Sequence, residues 1–454
     1  MKKILLFLYI LAVISLFSGS LDYRFRGEEP TRMVMAYEMS YISNFSQPTY
    51  LGEEYYRKPP LFNWLIIGYS KLFGWEAYTG RLVSITFTVF VSLLIVWFSN
   101  IFVFKSWEYS VLSGLIFLSF IDVLFWYGFL AEIDMTLTFF VFSMIISLIL
   151  ALKRKSYVLF VFSGILTGFS FLLKGFPAFV FLLLTLFILT LYGFYKKYSL
   201  LWMVGGVFLS MLFSVVPVVL WILSLKNPET YIATLWSESF GRVEQSKDIF
   251  IFLKHIIMYP LLNIKQTLLI SAFVLFIVFI KRSQLKSVSV PENVFILIFL
   301  FIINYLPYLI SAGARGRYVL PLFPIVAILF SFLIHRIHTQ KIFKIITGIL
   351  LFSFIVRILV GLLYFPYETE KKGLYRKIAQ HIVPTVKNGD VATNCVVHKG
   401  LIFYVDIMTQ KIVLSERKNP NWDYFISCNK KLNTGFLISS YDYKSEKIYL
   451  YKRR

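Results

Sequence analysis

Two adjacent carboxylates, Glu28 and Glu29, stand in the polar segment GEEPTRM, shortly after the first apolar run of the chain. Farther along this polar stretch come three cations, Arg57 and Lys58 before two prolines and Arg81 at the next apolar run. Adjacent acids in a loop are most often simply solvated. A carboxylate that accepts a proton beside cations that hold an anion, however, suits transfer of a group from a phosphate. We therefore take the two acids as candidate catalytic residues and the three cations as candidate substrate-binding residues.

Further charged residues stand at the ends of later apolar runs. Glu132 and Asp134 in FLAEIDMTL are spaced by two, which puts them on different faces of a helix, so only one faces a given cavity. Lys174 in FLLKGFPAF lies at a glycine–proline break, which suits a phosphate contact, although a snorkelling lysine is the plainer alternative. Arg317 and Tyr318 in GARGRYVLPLFP follow the same pattern. All except Glu132 join the candidate substrate-binding residues. For the two acids, the alternative is an ion pair with a nearby Lys or Arg.

The composition is that of a polytopic membrane protein. The chain of 454 residues is 58% hydrophobic with a mean hydropathy of +0.72, and it contains many apolar runs of about 20 residues. These runs do not alternate in polarity, so they predict helices rather than a barrel. We predict an α-helical fold with about eleven or more transmembrane helices. The predicted spans are 4–20, 82–104, 109–129, 133–152, 157–173, 177–195, 199–224, 266–281, 293–312, 318–335 and 342–364.

The formal net charge of +22 indicates membrane topology rather than nucleic-acid binding. Many basic residues, such as Lys105 and Lys196, fall in short loops that simple alternation of the spans places on one side. Positive loops mark the cytoplasmic side. The loops 21–81 and 225–265 and the C-terminal part of the chain then lie on the opposite side. We therefore predict a multi-pass protein of the cell (inner) membrane whose active site and C-terminal domain are extracytoplasmic.

The chain divides into a membrane domain, residues 1–365, and a small soluble α/β domain, residues 366–454. In the second part, residues 368–383 suit a helix, and the runs VATNCVV, KIVLS, GFLISS and KIYLY suit short strands. Both cysteines, Cys395 and Cys428, lie there, in a compartment predicted to be oxidising. They form either a disulfide or two buried thiols, since neither their number nor their spacing decides between the two.

The first long loop, residues 21–81, is predicted to fold as a lid over the outer membrane face. Arg32–Ser43 suits an amphipathic helix with several apolar side chains near one face. Pro60–Phe73 is apolar but too short to span a bilayer, so we expect it to lie along the membrane surface. This arrangement would hold the adjacent glutamates above an outward-facing cavity.

One carboxylate with several cations fits sugar transfer from a polyprenyl phosphate. The leaving phosphate is a weak base and needs no general acid, unlike the leaving oxygen in ordinary glycoside hydrolysis. A single carboxylate is then enough, as the base that takes the proton of the acceptor hydroxyl or amine. Lys and Arg side chains stabilise the charge that builds on the phosphate.

The membrane domain resembles the GT-C membrane glycosyltransferases, specifically the protein O-mannosyltransferase-like branch that includes the lipid A 4-amino-4-deoxy-L-arabinose transferase. The likeness covers most of residues 1–365 and rests on six motifs that occur in family order. These are EEPTRMVMAYEM, YYRKPPLFNWLIIGYSKLFG, TGRLVS, EIDMTL, GFSFLLKGFPAF and RYVLPLFP.

The resemblance implies that a polyprenyl-phosphate sugar is attacked, with inversion, from the extracytoplasmic side. The family's first-loop acid is the base, and the adjacent glutamates match it, although the family usually has Asp-Glu or a lone Asp there. Lys58 matches a lysine that contacts the donor phosphate. Lys174 and Tyr318 match positions near the same phosphate, and Asp134 matches an acid at the cavity mouth.

One departure from the family concerns a metal site. The arabinose transferase has a Glu directly before its loop lysine and a His in a later outer loop, which together can hold a metal. Here Arg57 stands at the first place and Ser239 aligns with the second. We therefore expect no metal of that kind, and the departure weakens the inference of an identical substrate.

We thus predict an inverting glycosyltransferase that uses a polyprenyl-phosphate sugar, undecaprenyl phosphate being the expected carrier in a bacterium. The acceptor is a glycolipid such as lipid A, a glycan or a protein. We expect contact with membrane lipids, no nucleic-acid partner and no cofactor. A transporter or flippase for lipid-linked sugars is the alternative, although its charges would gather at the midplane. A non-catalytic glycolipid-binding subunit is the third reading.

Overall fold

Helices make up most of the molecule, and a small sheet lies near its C-terminus. The computed structural model describes residues 2–241, 249–281, 289–337, 339–396, 398–430, 434–443 and 446–454. The helices are α1 (Lys2–Phe17), α2 (Glu29–Ile42), α3 (Leu61–Phe73), α4 (Ala77–Ser99), α5 (Trp107–Ser119), α6 (Asp134–Arg154), α7 (Tyr157–Lys174), α8 (Pro177–Tyr195), α9 (Leu200–Ile222), α10 (Pro228–Phe240), α11 (Ile249–Gln266), α12 (Ile270–Ile280), α13 (Glu292–Ile310), α14 (Phe323–Arg336), α15 (Gln340–Leu359), α16 (Phe365–Lys372), α17 (Tyr375–Val386) and α18 (Lys399–Thr409).

The chain is a multi-pass helical membrane protein. Among the described residues, eight helices are long and apolar enough to cross a membrane, or nine if α11 and α12, which meet at 106°, form one broken span. Each run predicted as a span overlaps a helix, but α1 has 16 residues and α5 only 13, which is short for a span. The helical membrane fold is confirmed, and the number of eleven spans stays a prediction.

Small polar side chains bring the apolar helices together. The contact of α7 with α9 is an example, where the Ser163 and Ser210 hydroxyls lie 2.9 Å apart and fully buried. Lipid is as apolar as the helix surfaces, so the hydrophobic effect does not drive helices together in a membrane. Close packing and such interhelical hydrogen bonds do so instead. The packed helices therefore hold the loops that connect them in fixed positions.

The first loop contains α2, α3 and a hairpin of two short strands, β1 (Thr49–Tyr50) and β2 (Glu53–Glu54). Sequence analysis expected α2 to be amphipathic, but all its residues from Glu29 to Met39 are buried. The reason is tertiary, because α3, α4 and α18 all pack on α2. The expected α3 is present over Leu61–Phe73, and its place along a membrane surface stays a prediction.

The C-terminal sheet contains β3 (Val391–Thr393), β4 (Leu414–Ser415), β5 (Tyr424–Ser427), β6 (Gly435–Tyr443) and β7 (Glu446–Arg453). Its order is β4-β3-β5-β7-β6, with β3 parallel to both neighbours and the remaining pairs antiparallel. The four expected runs each contain or overlap a strand. Sequence analysis missed β5 and α18, and the expected helix over 368–383 is broken at Gly373 into α16 and α17. Residue 397, the end of one expected strand, lies outside the described residues.

The C-terminal region packs directly on the first loop. The Ser415 amide donates to the Leu51 carbonyl at 2.9 Å, and the Ser415 hydroxyl donates to Glu53 at 2.7 Å. The Tyr37 hydroxyl of α2 donates to the carbonyl of Asp406 in α18 at 3.2 Å. A disulfide joins Cys395 to Cys428, which decides between the two alternatives left by the sequence. These contacts hold the C-terminal region against α2 and the hairpin of the first loop.

Candidate active site

The two adjacent glutamates occupy opposite environments. Glu29 is fully buried and forms a two-point ion pair with Arg81, from Nε to Oε1 at 2.8 Å and from Nη2 to Oε2 at 3.0 Å. The amides of Ala131 and Arg26 also donate to Glu29, at 2.9 and 2.8 Å. Each oxygen of this carboxylate therefore has both a charged and a backbone donor.

Arg81 does not reach a substrate cavity. Its side chain is fully buried, and its Nη1 donates to the carbonyls of Ser20 at 2.8 Å and Tyr23 at 2.5 Å. A guanidinium that is bound on all sides has no donor left for a ligand. This geometry favours a structural role for Arg81 and Glu29, and their sequence-based assignments to substrate binding and to catalysis stay untested predictions. Both residues fix the first loop to the bundle.

Glu28, in contrast, is 44% exposed and opens onto a cavity of about 630 Å³. The Nζ of Lys399, the first residue of α18, lies 3.6 Å from Oε2 of Glu28. Partial burial raises the pKa of Glu28, but the charges of Lys399 and Arg32 and a hydrogen bond from Thr31 outweigh it. The pKa therefore lies below its usual value, and Glu28 is a carboxylate at neutral pH.

A second cavity, of about 200 Å³, has four cations among its lining residues, many of which are apolar. Its wall includes Arg32, Lys58, Lys174 and Arg317, together with Glu132, Asp134, Glu238 and Tyr318. The sequence candidates from four separate motifs thus come together on one wall. Both Glu132 and Asp134 line it, although their spacing predicted that only one would, because Glu132 lies before the start of α6. Arg32 is only 4% exposed, and its Nε has no hydrogen-bond partner among the described residues. We call this space the cation cavity, and the larger space beside Glu28 the carboxylate cavity.

Asp134 is the residue around which two of the cations gather. It opens α6, where the partial positive charge of the helix N-terminus favours an acid. Its Oδ1 lies 3.3 Å from Lys174 Nζ, and its Oδ2 lies 3.6 Å from Arg317 Nη1. Lys174 Nζ also stands 4.5 Å from the centre of the Tyr318 ring. The break at Gly175, which ends α7, turns the chain toward α8 and leaves Lys174 at the cavity.

Lys58 and Arg57 have unequal places at the rim of the cation cavity. Lys58 lines the cavity with its Nζ 3.6 Å from Oε2 of Glu238, while Arg57 is 68% exposed and 3.8 Å from Oε1 of the same residue. Tyr231 donates a hydrogen bond to the Lys58 carbonyl, which fixes the backbone there. Ser239, the position expected to replace a histidine ligand, also lines this cavity. Arg57 contributes charge at the entrance and does not line the wall.

The two cavities meet at the ion pair of Glu132 with Arg317, which lines both of them. Oε2 of Glu132 lies 3.3 Å from Arg317 Nη1, and its Oε1 accepts from the Glu28 amide at 3.1 Å. Gly27 permits this approach, because a Cβ at its φ of +55° would lie 2.9 Å from the same Oε1. Burial raises the pKa of Glu132 to about 7 against the opposing charge of Arg317. Glu132 therefore contacts both the backbone amide of Glu28 and the side chain of Arg317, which lines the cation cavity.

Comparison with known proteins assigns the fold. Residues 57–221 match the model of the family described as dolichyl-phosphate-mannose-protein mannosyltransferase. No curated protein matches the chain in sequence. The crystal structure of ArnT from Cupriavidus metallidurans bound to undecaprenyl phosphate aligns with 15% identity and a TM-score of 0.72, covering 98% of this chain and 97% of that one. The predicted GT-C resemblance is confirmed.

ArnT in its apo state aligns over the same shares of the two chains, with 14% identity and a TM-score of 0.67. The similarity to ArnT therefore runs through the membrane helices and into the C-terminal region. At this level of identity it establishes the GT-C fold. The roles of single residues have to be argued from the geometry of this chain.

Sequence reasoning missed three residues of this site. Arg32 stands one helical turn after Glu28, a spacing that places both near one face of α2 and that could have indicated it. Glu238, in α10, carries no signal beyond its charge. Lys399 lies far along the chain in a segment that was not predicted to be helical, so only the packing of α18 on α2 reveals it.

Proposed function

We propose that this protein is an inverting glycosyltransferase that moves a sugar from a polyprenyl-phosphate donor to an acceptor at the outer face of the membrane. The observation that carries the proposal is the cation cavity, where Arg32, Lys58, Lys174 and Arg317 converge. Such a concentration of cations beside apolar helices suits a ligand with an anionic head and an apolar tail. A polyprenyl phosphate has this chemistry.

The ion pairs of the cavity wall suit exchange with a phosphate. Lys174 and Arg317 share Asp134, and each contact is longer than 3.2 Å, looser than the 2.8 Å contact of the buried pair with Arg81. Phosphate oxygens form shorter, charge-assisted bonds with such donors. As the sugar–phosphate bond breaks, charge builds on the phosphate, and fixed cations stabilise it most when water is excluded.

Glu28 is the base in this proposal. It is ionised, half-exposed and adjacent to the cation cavity through Glu132. Its carboxylate takes the proton of the acceptor hydroxyl or amine as that group attacks the anomeric carbon from the side opposite the phosphate. This attack inverts the configuration, and the phosphate leaves with its electron pair without needing a proton. The carboxylate cavity beside Glu28 is the place that we assign to the acceptor.

Two findings on related proteins support the carrier and the reaction class. ArnT binds undecaprenyl phosphate in the crystal structure with which this chain aligns over nearly its whole length. The family model over residues 57–221 is named for a mannosyltransferase that uses a dolichyl phosphate. Both carriers are polyprenyl phosphates. We propose undecaprenyl phosphate for this chain, with the membrane as its location and both cavities on the extracytoplasmic side.

The test is mass spectrometry of polyprenyl-phosphate sugars in membranes of cells that lack the protein. One lipid-linked sugar should accumulate, and the wild-type gene should remove it. Glu28→Gln should leave the accumulation in place although the variant is present in the membrane. Asp22→Asn, a change of an exposed acid in the same loop, should restore the wild-type pool.

Two outcomes would count against the proposal. If Glu28→Gln clears the accumulated sugar as well as wild type does, Glu28 is not the base. If no lipid-linked sugar changes in amount on deletion while its pathway is active, the chain is not a transferase. A flippase or a glycolipid-binding subunit would then be the better description.

A further inference from the structure

The carboxylate that we propose as the base has a counter-ion from the other end of the chain. Lys399 Nζ lies 3.6 Å from Oε2 of Glu28, and both side chains are partly exposed. Lys399 is the first residue of α18, in the C-terminal region, whereas Glu28 directly precedes α2 in the first loop. The C-terminal region thus supplies a charge to a site that is otherwise built by the membrane helices and their loops.

The position of Lys399 is unusual for a lysine. A helix N-terminus carries partial positive charge, so a cation in the first turn is unfavourable. α18 nevertheless begins with Lys399, and no acid stands in its first turn. A nearby anion from another segment offsets this repulsion. Glu28 is in the right place to do so, so each residue of the pair stabilises the charge of the other.

The backbone before Lys399 is held in place. The Cys395–Cys428 disulfide ties the segment ahead of α18 to the end of β5. Within this turn the His398 amide donates to the Cys395 carbonyl at 3.2 Å. Tyr50, in the hairpin of the first loop, donates from its hydroxyl to the Val396 carbonyl at 3.2 Å. These contacts fix the backbone directly before Lys399.

Several other charged or titratable groups face Glu28. From α2, Arg32 adds a second positive charge, and Arg317 adds a third from the far side of the carboxylate cavity. Glu132 contributes a carboxyl that accepts from the Glu28 backbone, and the phenols of Tyr50 and Tyr55 lie in the adjoining loop. Arg26 lines the same cavity.

Arg32 and Arg317 also face the cation cavity, where a donor phosphate would pair with their charges. Lys399 does not line that cavity, so its charge stays with Glu28.

We propose that Lys399 is a positioning residue that keeps Glu28 ionised and oriented toward the acceptor while the arginines are engaged by the donor phosphate. The catalytic role of Lys399 rests on the proposed function. The electrostatic effect of Lys399 on Glu28 does not, and it can be measured on the pair alone. The C-terminal region is then part of the active site. Its disulfide has a function there, because it fixes the segment that carries Lys399.

The test measures the protonation of Glu28 without any substrate. A water-soluble carbodiimide with an amine nucleophile labels carboxyl groups in their protonated form, and peptide mass spectrometry reads the labelling of Glu28 against pH. In Lys399→Met the labelling midpoint of Glu28 should rise by about one pH unit, since loss of one opposite charge at this distance removes a stabilising interaction of that order. Lys399→Arg should keep the wild-type midpoint. The purified full-length chain in detergent is used throughout.

Matched controls make the result specific. Lys387→Met removes an exposed lysine of the same region that lies away from Glu28, and it should leave the midpoint unchanged. Labelling of exposed Asp22 serves as the internal reference in every sample. Removing the disulfide with Cys395→Ala and Cys428→Ala should raise the Glu28 midpoint in the same direction by a smaller amount. If Lys399→Met does not give a monodisperse protein, Lys399→Gln is measured in its place.

An unchanged Glu28 midpoint in the Lys399 variant would overturn the proposal, and so would an equal change in the Lys387 variant. These results are independent of the deletion experiment. If Glu28→Gln fails to restore lipid-linked sugar turnover while Lys399 has no effect on the Glu28 midpoint, the proposed function stands and only this inference fails. If Glu28→Gln supports full turnover, the proposed function fails whatever the labelling shows.

Discussion

Two regions of the molecule use the same residue types for different purposes. Beneath the first loop, Glu29 and Arg81 form an ion pair that is fully buried, and its donors and acceptors are shared with backbone groups. On the cavity wall, Lys174 and Arg317 pair with Asp134 through longer contacts that face open space. The buried pair has no capacity for a ligand. The cavity pairs can exchange a carboxylate for a phosphate.

Charge alone therefore does not identify a binding residue. Arg81 and Lys174 both stand at the end of an apolar helix, and both were candidates from sequence. Burial decides between them: a charge taken fully out of water must be paired by its own protein, because desolvation costs several kcal/mol per ion. A charge beside a cavity retains room for a ligand and some solvation.

Breaking the buried pair should have the largest effect. Arg81→Met leaves the Glu29 carboxylate buried without a counter-ion, which should cost about 3 kcal/mol or more of stability. We expect a large loss of monodisperse protein in detergent and a lower thermal midpoint. Glu28→Gln, at the exposed neighbour, should change the thermal midpoint very little.

A double variant sharpens this first prediction. Glu29→Gln combined with Arg81→Met removes both charges and should recover part of the stability lost in Arg81→Met alone. If the double variant is as unstable as the sum of the two single variants, the two residues do not act as a pair. The packing of the first loop would then depend on their separate backbone contacts.

Breaking a cavity pair should instead affect ligand binding. Lys174→Met should lower the affinity for undecaprenyl phosphate by about 10-fold to 100-fold, the range for loss of a hydrogen bond to a charged group. Binding is measured by native mass spectrometry of the purified protein with the added lipid. Lys196→Met is the matched control, because Lys196 stands at the opposite end of α8 and pairs with Glu292 at 2.6 Å. Equal losses of affinity in both variants would contradict a specific phosphate site.

Glu132 lies between the two regions, since it is buried yet borders both cavities. Because burial raises its pKa to about 7, the folded chain binds this proton more tightly than the unfolded chain does. The stability linked to Glu132 is therefore fully present below about pH 4.5 and is lost as the pH rises through about 7. Glu132→Gln does not titrate. The free energy of unfolding of wild type should fall relative to that of this variant between pH 5 and pH 8, by an amount on the order of 2 kcal/mol, and the thermal midpoint of wild type should fall with it. A constant difference across this range would contradict the raised pKa.

The sequence predicted much of the fold because the length of an apolar run decides whether it spans a membrane. Each predicted span overlaps a helix, and β6 and β7 lie where alternating runs predicted strands. The failures have a common cause. The helix expected over 368–383 breaks at Gly373, and α18 forms from an apolar segment whose pattern suits helix or strand alike. In both cases the surrounding packing selects the local structure.

The site was predicted in part. Lys58, Lys174 and Tyr318 line one cavity although they come from separate motifs: Lys174 ends α7, whereas Lys58 precedes α3 and Tyr318 precedes α14. The sequence did not separate Glu28 from Glu29, because a one-residue step across the start of α2 turns a side chain from the cavity to the interior. Lys399 was not predictable, since no local pattern brings the C-terminal region to the first loop.

The smallest effect is expected for Arg57. This side chain is 68% exposed and does not line the cation cavity, although it lies 3.8 Å from Glu238, which does. Exposed ion pairs contribute little, so Arg57→Ala should change lipid affinity by about twofold or less at physiological salt. Lys58→Ala should weaken lipid binding at least as much as Lys174→Met does, because Lys58 also lines the cavity, whereas Arg57 does not.

Measuring lipid affinity of both variants at low and high salt distinguishes a charge at the entrance from a charge on the wall. A charge that acts only at the entrance loses its effect as salt rises, whereas a charge on the wall keeps most of it. A large, salt-resistant loss in Arg57→Ala would mean that Arg57 turns inward when the donor binds, and the division between rim and wall would have to be redrawn.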